Sequence, residues 1–290
     1  MQIVFSIVYF FLIYVIIAKS YQLTYLSSGF FQLTHAVVIA IAAYFVYWFH
    51  IQLSLNLLLS IVLSVVFSSL IGWGTDFLVY RPFRRNKNSN MEIMIASLGV
   101  FVILQNIISS LWGNRVLSFQ SWPVNQTIDI GVVHVSYIQF ITITVCLSFL
   151  IVLWYFSGKT QKGKAIKMIS DNPTMSEILG VNKDTAIGWS YFLGSLFASF
   201  TGILIAANYN IIPKMGFNWL FPAIVAMIIG GMGRMRYMVL GALLLATAQH
   251  LSAYFLDSKW MNATAYVILI IFLCFRPYGF SGRKLKKTEV

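Results

Sequence analysis

The side chains with the most chemistry in this chain do not converge. Four histidines, His35, His50, His134 and His250, are scattered over 290 residues. None has a carboxylate or cysteine at ligand spacing, so no metal site is expected. Neither His-Glu-x-x-His nor Gly-x-Ser-x-Gly occurs. Gly158-Lys159-Thr160 copies the end of a phosphate-binding loop, but that loop needs glycine five positions earlier, where the chain has Leu153. Cys146 and Cys274 both lie in apolar runs and read as packing residues, not as a disulfide framework. With no nucleophile, acid pair or metal set assembled, an enzyme is not expected.

What remains is neutral polarity inside apolar sequence. Gln32, Thr34 and His35 form one group, Gln105 and Asn106 a second, and Gln249 and His250 a third; Asn208 stands alone. Such residues either line a path for a polar solute or hydrogen-bond between helices, the latter worth roughly 0.6–2 kcal/mol each. Gln32, Thr34 and His35 are the strongest path candidates, with Gln105 and Asn106 behind them. Asp, Glu, Lys and Arg are essentially missing from mid-span positions, so no proton relay or ion-coupling signature is visible. Asp76 and Glu92 fall at span ends, where caps or loop pairing account for them. Energy for uphill movement would have to enter from elsewhere.

These groups need elements to hold them, and the composition says which. The chain is 59% hydrophobic and 10% charged, against about 25% charged in a soluble domain. That excludes a soluble globular protein, a disordered chain and a fibrous repeat, and makes lipid the solvent. A charge near the bilayer centre costs about 2.5–3.5 kcal/mol, so charge-free intervals outline the spans. They are expected at 2–18, 34–49, 56–78, 92–112, 137–157, 185–207, 218–232, 237–256 and 261–275. The fold class is an all-α integral membrane bundle of 8–9 helices forming a single domain over 1–290. Surplus length around 25–36, with Ser27, Ser28 and Gly29, predicts a broken or re-entrant segment there, tolerated only inside protein or beside a wet cavity. The N-terminal run has no basic leader and reads as a retained span.

The net charge is +12. A nucleic-acid binder would cluster it on a soluble face; here it follows the loops. If the C-terminal tail is cytoplasmic, alternation puts every Lys and Arg except Arg115, Lys214 and Lys259 on that side, Lys19 included, as the positive-inside rule requires. Two loops are large. The outer one, 113–136, holds Trp122, Pro123, the triplet Asn125-Gln126-Thr127, read as plain surface, and a strand-like stretch from Ile128 to Val135. The inner one, 158–184, begins with Lys159, Lys162, Lys164 and Lys167, which suit anionic lipid headgroups. It then reads Ser170-Asp171-Asn172-Pro173-Thr174-Met175-Ser176-Glu177-Ile178-Leu179-Gly180. Ser170 or Asp171 is expected to cap a short helix, with Glu177 inside it and Gly180 ending it.

The chain resembles the permeases of branched-chain amino acid ABC importers, of the LivH/LivM type. Four stretches carry the likeness over nearly its whole length. They are Ser28-Gly29-Phe30-Phe31-Gln32-Leu33-Thr34-His35-Ala36; Tyr80-Arg81-Pro82-Phe83-Arg84 followed by Ile95-Ala96-Ser97-Leu98-Gly99; Gly163-Lys164-Ala165 through Asp171-Asn172-Pro173 to Leu179-Gly180-Val181; and Gly230-Gly231-Met232-Gly233 with Phe275-Arg276-Pro277-Tyr278-Gly279-Phe280. In the first, Gln32, Thr34 and Ala36 replace the family's Asn, Ala and Gly, while His35 is kept. The resemblance implies a permease subunit in a bacterial inner membrane, paired with a second permease as homo- or heterodimer. It implies two cytoplasmic ATPase subunits that bind the internal loops of the permease pair, in this chain at Asp171, Asn172, Pro173, Glu177 and Gly180, and an external solute-binding protein, for which Trp122 and Pro123 are candidate contacts. No cofactor is expected on this chain, because ATP belongs to the partners. The implied cargo is a branched-chain or other amino acid. The alternatives are urea or short amides, and an ion-coupled carrier or channel that needs no ATPase.

Overall fold

The computed structural model describes residues 2–86, 88–119, 127–130, 133–231, 235–276 and 279–280. Its elements are predominantly helical, with one short β-hairpin among the described residues. In order these are α1 (Gln2–Ser28), α2 (Thr34–Tyr47), α3 (Leu57–Thr75), α4 (Arg81–Arg85), α5 (Asn90–Trp112), β1 (Thr127–Ile130), β2 (Val133–Ser136), α6 (Tyr137–Lys159), α7 (Gln161–Asp171), α8 (Pro173–Ile178), α9 (Lys183–Asn208), α10 (Met215–Gly230), α11 (Met235–Phe255) and α12 (Met261–Phe275). Eight helical segments among the described residues are long and apolar enough to cross a membrane. α10, with 16 residues and Pro222 inside it, is shorter; at 1.5 Å per residue it rises about 24 Å.

Two boundaries differ from expectation. The first span does not stop at 18. It runs on to Ser28 as one 27-residue helix, with Lys19 half-buried within it and its Nζ donating to Gln22 Oε1 at 3.1 Å. A single ammonium on a long stem keeps a polar partner inside a helix, so Lys19 marks no loop. The break expected around 25–36 is confined to 29–33, where Gly29 takes φ +80°, a conformation costly for any residue with a Cβ.

The contacts divide the chain into two compact units, one of Met1–Gln22, Trp122–Leu150 and Asn218–Lys286, the other of Leu23–Ser121, Ile151–Phe217 and Lys287–Val290. In the second, α2, α3 and α9 pack as a three-helix core. Small residues set the approach: a Cβ on Gly202 of α9 would collide with the Ile39 carbonyl of α2, and Ser64 Oγ of α3 donates to the Ala42 carbonyl at 2.5 Å. Polar groups join helices here because lipid supplies no hydrophobic drive between them. Helix starts carry local caps. Asn56 opens α3, Ser89 accepts from Glu92 N to open α5, and Asn182 accepts from Thr185 N to open α9. Thr160, third in the phosphate-loop lookalike, is the cap of α7.

In the first unit the hairpin β1–β2 pairs antiparallel, Thr127 opposite Ser136, in the stretch expected to be strand-like. Gly230 and Gly241 bring α10 and α11 into backbone contact. Gln249 donates to the Met261 carbonyl at 3.0 Å, and His250 Nδ1 lies 3.1 Å from the Ala246 carbonyl with its ring 4.5 Å from Phe10. Both in-span polar residues are therefore engaged in packing. Phe280 N bonds back to the Ile229 carbonyl at 2.9 Å, which seats the final Gly279-Phe280 of the last motif on the end of α10.

Candidate functional site

The polar side chains at and just after the break between α1 and α2 are buried in protein. Gln32, Thr34 and His35 are each at most 2% exposed. Gln32 Nε2 donates to Thr24 Oγ1 at 2.6 Å. The Thr34 hydroxyl meets the Tyr80 hydroxyl at 2.8 Å. Irregular backbone at depth needs donors and acceptors from its neighbours, and α5 provides them. Ser97 Oγ lies 3.4 Å from Leu33 N and 3.5 Å from the Phe31 carbonyl, and Asn90 Nδ2 reaches the Gly29 carbonyl at 3.5 Å. Gly216 sits so close to the Ala36 carbonyl that any side chain there would collide. The structure thus brings Gln32, Thr34 and His35 together. It places Gln105 half-buried and Asn106 exposed on α5, with Asn106 Nδ2 turned back on the Val102 carbonyl at 2.8 Å.

Below the break lies an arginine elbow. After α3 the helix widens through a π-helical turn, Asp76–Tyr80, and resumes as α4. Pro82 explains the widening: its ring has no N–H and would clash with the carbonyl four residues back in a regular α-helix. Asp76, 3% exposed at its side chain, accepts from Arg84 Nη1 at 2.7 Å. Arg81 and Arg85, four apart and so on one helix face, both grip Asp184 Oδ2 at 3.0 Å. Asp184 lies in the first turn of α9, where the helix dipole also favours a negative charge.

The elbow faces α7, α8 and the turn that follows. A cleft of about 540 Å³ is lined by Arg84, Arg85, Glu177 and residues 180–184. α7 is amphipathic: it buries Ile166 and Ile169, and Lys162 Nζ sits 3.1 Å from the centre of the Trp189 ring. Gly163 is needed because a Cβ would strike the Phe156 carbonyl. The short helix α8 is capped by Asn172, whose Oδ1 accepts from Met175 N at 3.1 Å, and Pro173 takes its first position. The expected caps, Ser170 and Asp171, are instead the last residues of α7. Gly180, at φ +82°, ends α8 by donating to the Glu177 carbonyl, and Val181 N donates to the Ser176 carbonyl; this pair of bonds is the Schellman closure. Asp171 and Glu177 are exposed. So are three apolar side chains, Met175 at 57%, Ile178 at 75% and Leu179 at 67%. Trp122 and Pro123 lie outside the described residues.

Asp76, Tyr80, Arg81, Arg84, Arg85 and Asp184 were not among the expected site residues. A signal was present: the chain has only eight acids, and two of them stand where Arg81–Arg85 can reach.

A family model described as the permease component of branched-chain amino acid transport systems matches residues 3–274. The high-affinity branched-chain amino acid permease LivH of Escherichia coli K12 is 26% identical, covering 93% of this chain and 91% of its own. BraD of Pseudomonas aeruginosa is also 26% identical, over 93% and 92%. The galactose/methyl galactoside permease MglC of Escherichia coli K12 is 29% identical, over 49% of this chain and 44% of its own. PsaBC from Streptococcus pneumoniae, solved in complex with Fab, shares the fold with a TM-score of 0.55 at 13% identity, covering 99% of this chain and 95% of that one.

Proposed function

Since the chain belongs to the permease-component family of branched-chain amino acid transport systems, we propose that it is one half of the membrane pathway of an ATP-driven importer for a branched-chain or other amino acid. It is a multi-pass membrane protein of an ABC importer family, which works with ATPase and binding-protein subunits. The observation that carries the reading is α8. Its apolar side chains Met175 and Ile178, and Leu179 just after it, stand in the open beside Glu177, and with six residues the helix cannot cross a membrane. A capped, exposed, apolar lever is the surface an external motor needs.

On this reading the C-terminus and 158–184 are cytoplasmic, a second permease copy or relative completes the pathway, and two ATPases dock on the internal loops of the pair, one of them on α8 of this chain. The break at 29–33 closes the inner end of that pathway. Burial of Gln32, Thr34 and His35, all hydrogen-bonding types, supports a closed gate that presents polar groups when it opens.

The test is uptake by the complex purified from its native host and reconstituted in liposomes. Radiolabelled leucine should accumulate only with ATP, and excess isoleucine or valine should compete. Competition by galactose instead would move the substrate toward that of MglC; competition by urea or acetamide would move it to small amides. Accumulation driven by a proton or sodium gradient without ATP would refute the importer reading. Glu177→Lys should leave insertion intact while uptake falls by about tenfold or more, since an opposite charge at a docking face costs on the order of 1–3 kcal/mol.

A further inference from the structure

The break and the α7–α8 lever are joined by one chain of contacts, and Tyr80 is its central link. We propose that Tyr80, with the Arg81/Arg85–Asp184 clamp, is a positioning residue that transmits movement of the α7–α8 segment to the break, with the π-helical turn Asp76–Tyr80 as the joint that yields. The inference rests on the gate and motor reading given above.

The first link is the clamp. Asp184 is the second residue of α9, directly after the turn that closes α8, and both arginines fix one carboxylate oxygen. Arg85 is 63% exposed and Asp184 23%, so this pair adds little to stability, as exposed ion pairs do. What it does is geometric: it ties α4 to the start of α9. The second link is the turn. Its N-terminal residue Asp76 is tied to Arg84, and its C-terminal residue Tyr80 to Thr34. Both ends of the widened turn are therefore held from outside while its own backbone carries the longer, weaker π spacing. Such turns recur at functional sites.

The third link is Tyr80 itself. It is fully buried. Its hydroxyl bonds Thr34, the first residue after the break, and its ring packs edge-on to Phe30, inside the break, at 5.2 Å. One side chain thus touches both the interior of the irregular segment and the helix that follows it. On its other side Tyr80 meets Tyr191 at 5.7 Å. Ile187 and Tyr191 stand three and seven residues beyond Asp184, on the same face of α9, and both belong to the buried cluster with Phe30, Tyr80 and Ile93. The first two turns of α9 therefore grip α4 at one point and Tyr80 at another. Arg84 bonds Asp76 through Nη1 alone and keeps Nε and Nη2 buried without a protein acceptor, so the N-terminal end of the joint is held by a single side-chain bond from Arg84.

The test follows the break directly. In the full complex with its ATPases, Cys274, which is exposed, is changed to Ser, and Leu33, half-buried in the break, is changed to Cys; Cys146 is buried. Thiol labelling is timed without nucleotide and with ATP trapped by vanadate. The rate should change several-fold between the two states. Adding Tyr80→Phe removes only the hydroxyl. A neutral hydrogen bond shifts a two-state equilibrium about five-fold, so the nucleotide response should shrink by that factor while ATPase binding and assembly stay normal. Asp184→Asn should act alike, and Asp184→Glu should restore the response. A residue that merely supports the fold would lower yield and ATP hydrolysis without altering the response per assembled complex. If the parent responds and Tyr80→Phe and Asp184→Asn respond equally, the linkage is overturned and the importer reading stands. If the parent itself shows no response while hydrolysing ATP, the gate at the break is wrong and the linkage falls with it.

Discussion

Asp76 is the one buried carboxylate of the arginine elbow, and its only salt-bridge partner among the described residues is Arg84. A desolvated charge left alone costs more than the pair gains, so the two changes should be unequal. Asp76→Ala should destabilise the solubilised protein by about 3–5 kcal/mol, whereas Asp76→Ala with Arg84→Met should recover most of that loss. Thermal unfolding in detergent reads both; a single-mutant loss under about 1 kcal/mol would mean that the pair is solvated. Local chemistry of this kind was partly legible in the sequence. Gly180 as a helix stop was readable because glycine after a helix has few other uses. The cap was misplaced by one or two residues, at Ser170 or Asp171 instead of Asn172, because all three side chains can cap and what selects Asn172 is Pro173 at the next position. The grip of Arg81 and Arg85 on Asp184 spans about 100 residues, and no local pattern announces a pair so distant.

At the scale of elements, charge-free length located the helices well, and failed where one charge is tolerated. Lys19 ended the expected first span because an isolated lysine is costly in lipid; inside α1, Gln22 and the surrounding protein remove that cost. The break was visible as excess length, but its closure was not: Ser97 and Asn90 come from α5, some sixty residues on. Packing of α2 on α9 depends on the absence of a side chain at one point. Gly202→Ala would drive a methyl into the Ile39 carbonyl and should cost about 1–3 kcal/mol. Gly158→Ala meets nothing within 4 Å and should be neutral or stabilise by up to about 1 kcal/mol through the helix propensity of alanine. The pair, measured by melting temperature on the same preparation, separates close approach from helix propensity. Equal shifts would deny Gly202 its packing role.

Over the whole molecule, exposed apolar surface has two meanings, and the same substitution distinguishes them. Ile270, 61% exposed, lies on α12, in a candidate span only 6% of which is buried inside the chain. Met175, 57% exposed, lies on α8, too short to span anything. Exposure alone cannot tell lipid from a protein partner, but charge can. Ile270→Glu places a carboxylate in hydrocarbon, where insertion costs about 2.5–3.5 kcal/mol; membrane-integrated yield should fall. Met175→Glu meets water in the free subunit, so yield should hold. If α8 is the motor's docking surface, that carboxylate is buried on assembly, and recovery of the ATPase subunits with the permease should drop by about tenfold, the effect of roughly 1.4 kcal/mol. Loss of ATPase recovery with Ile270→Glu at normal yield, or normal recovery with Met175→Glu, would reverse the assignment of the two surfaces.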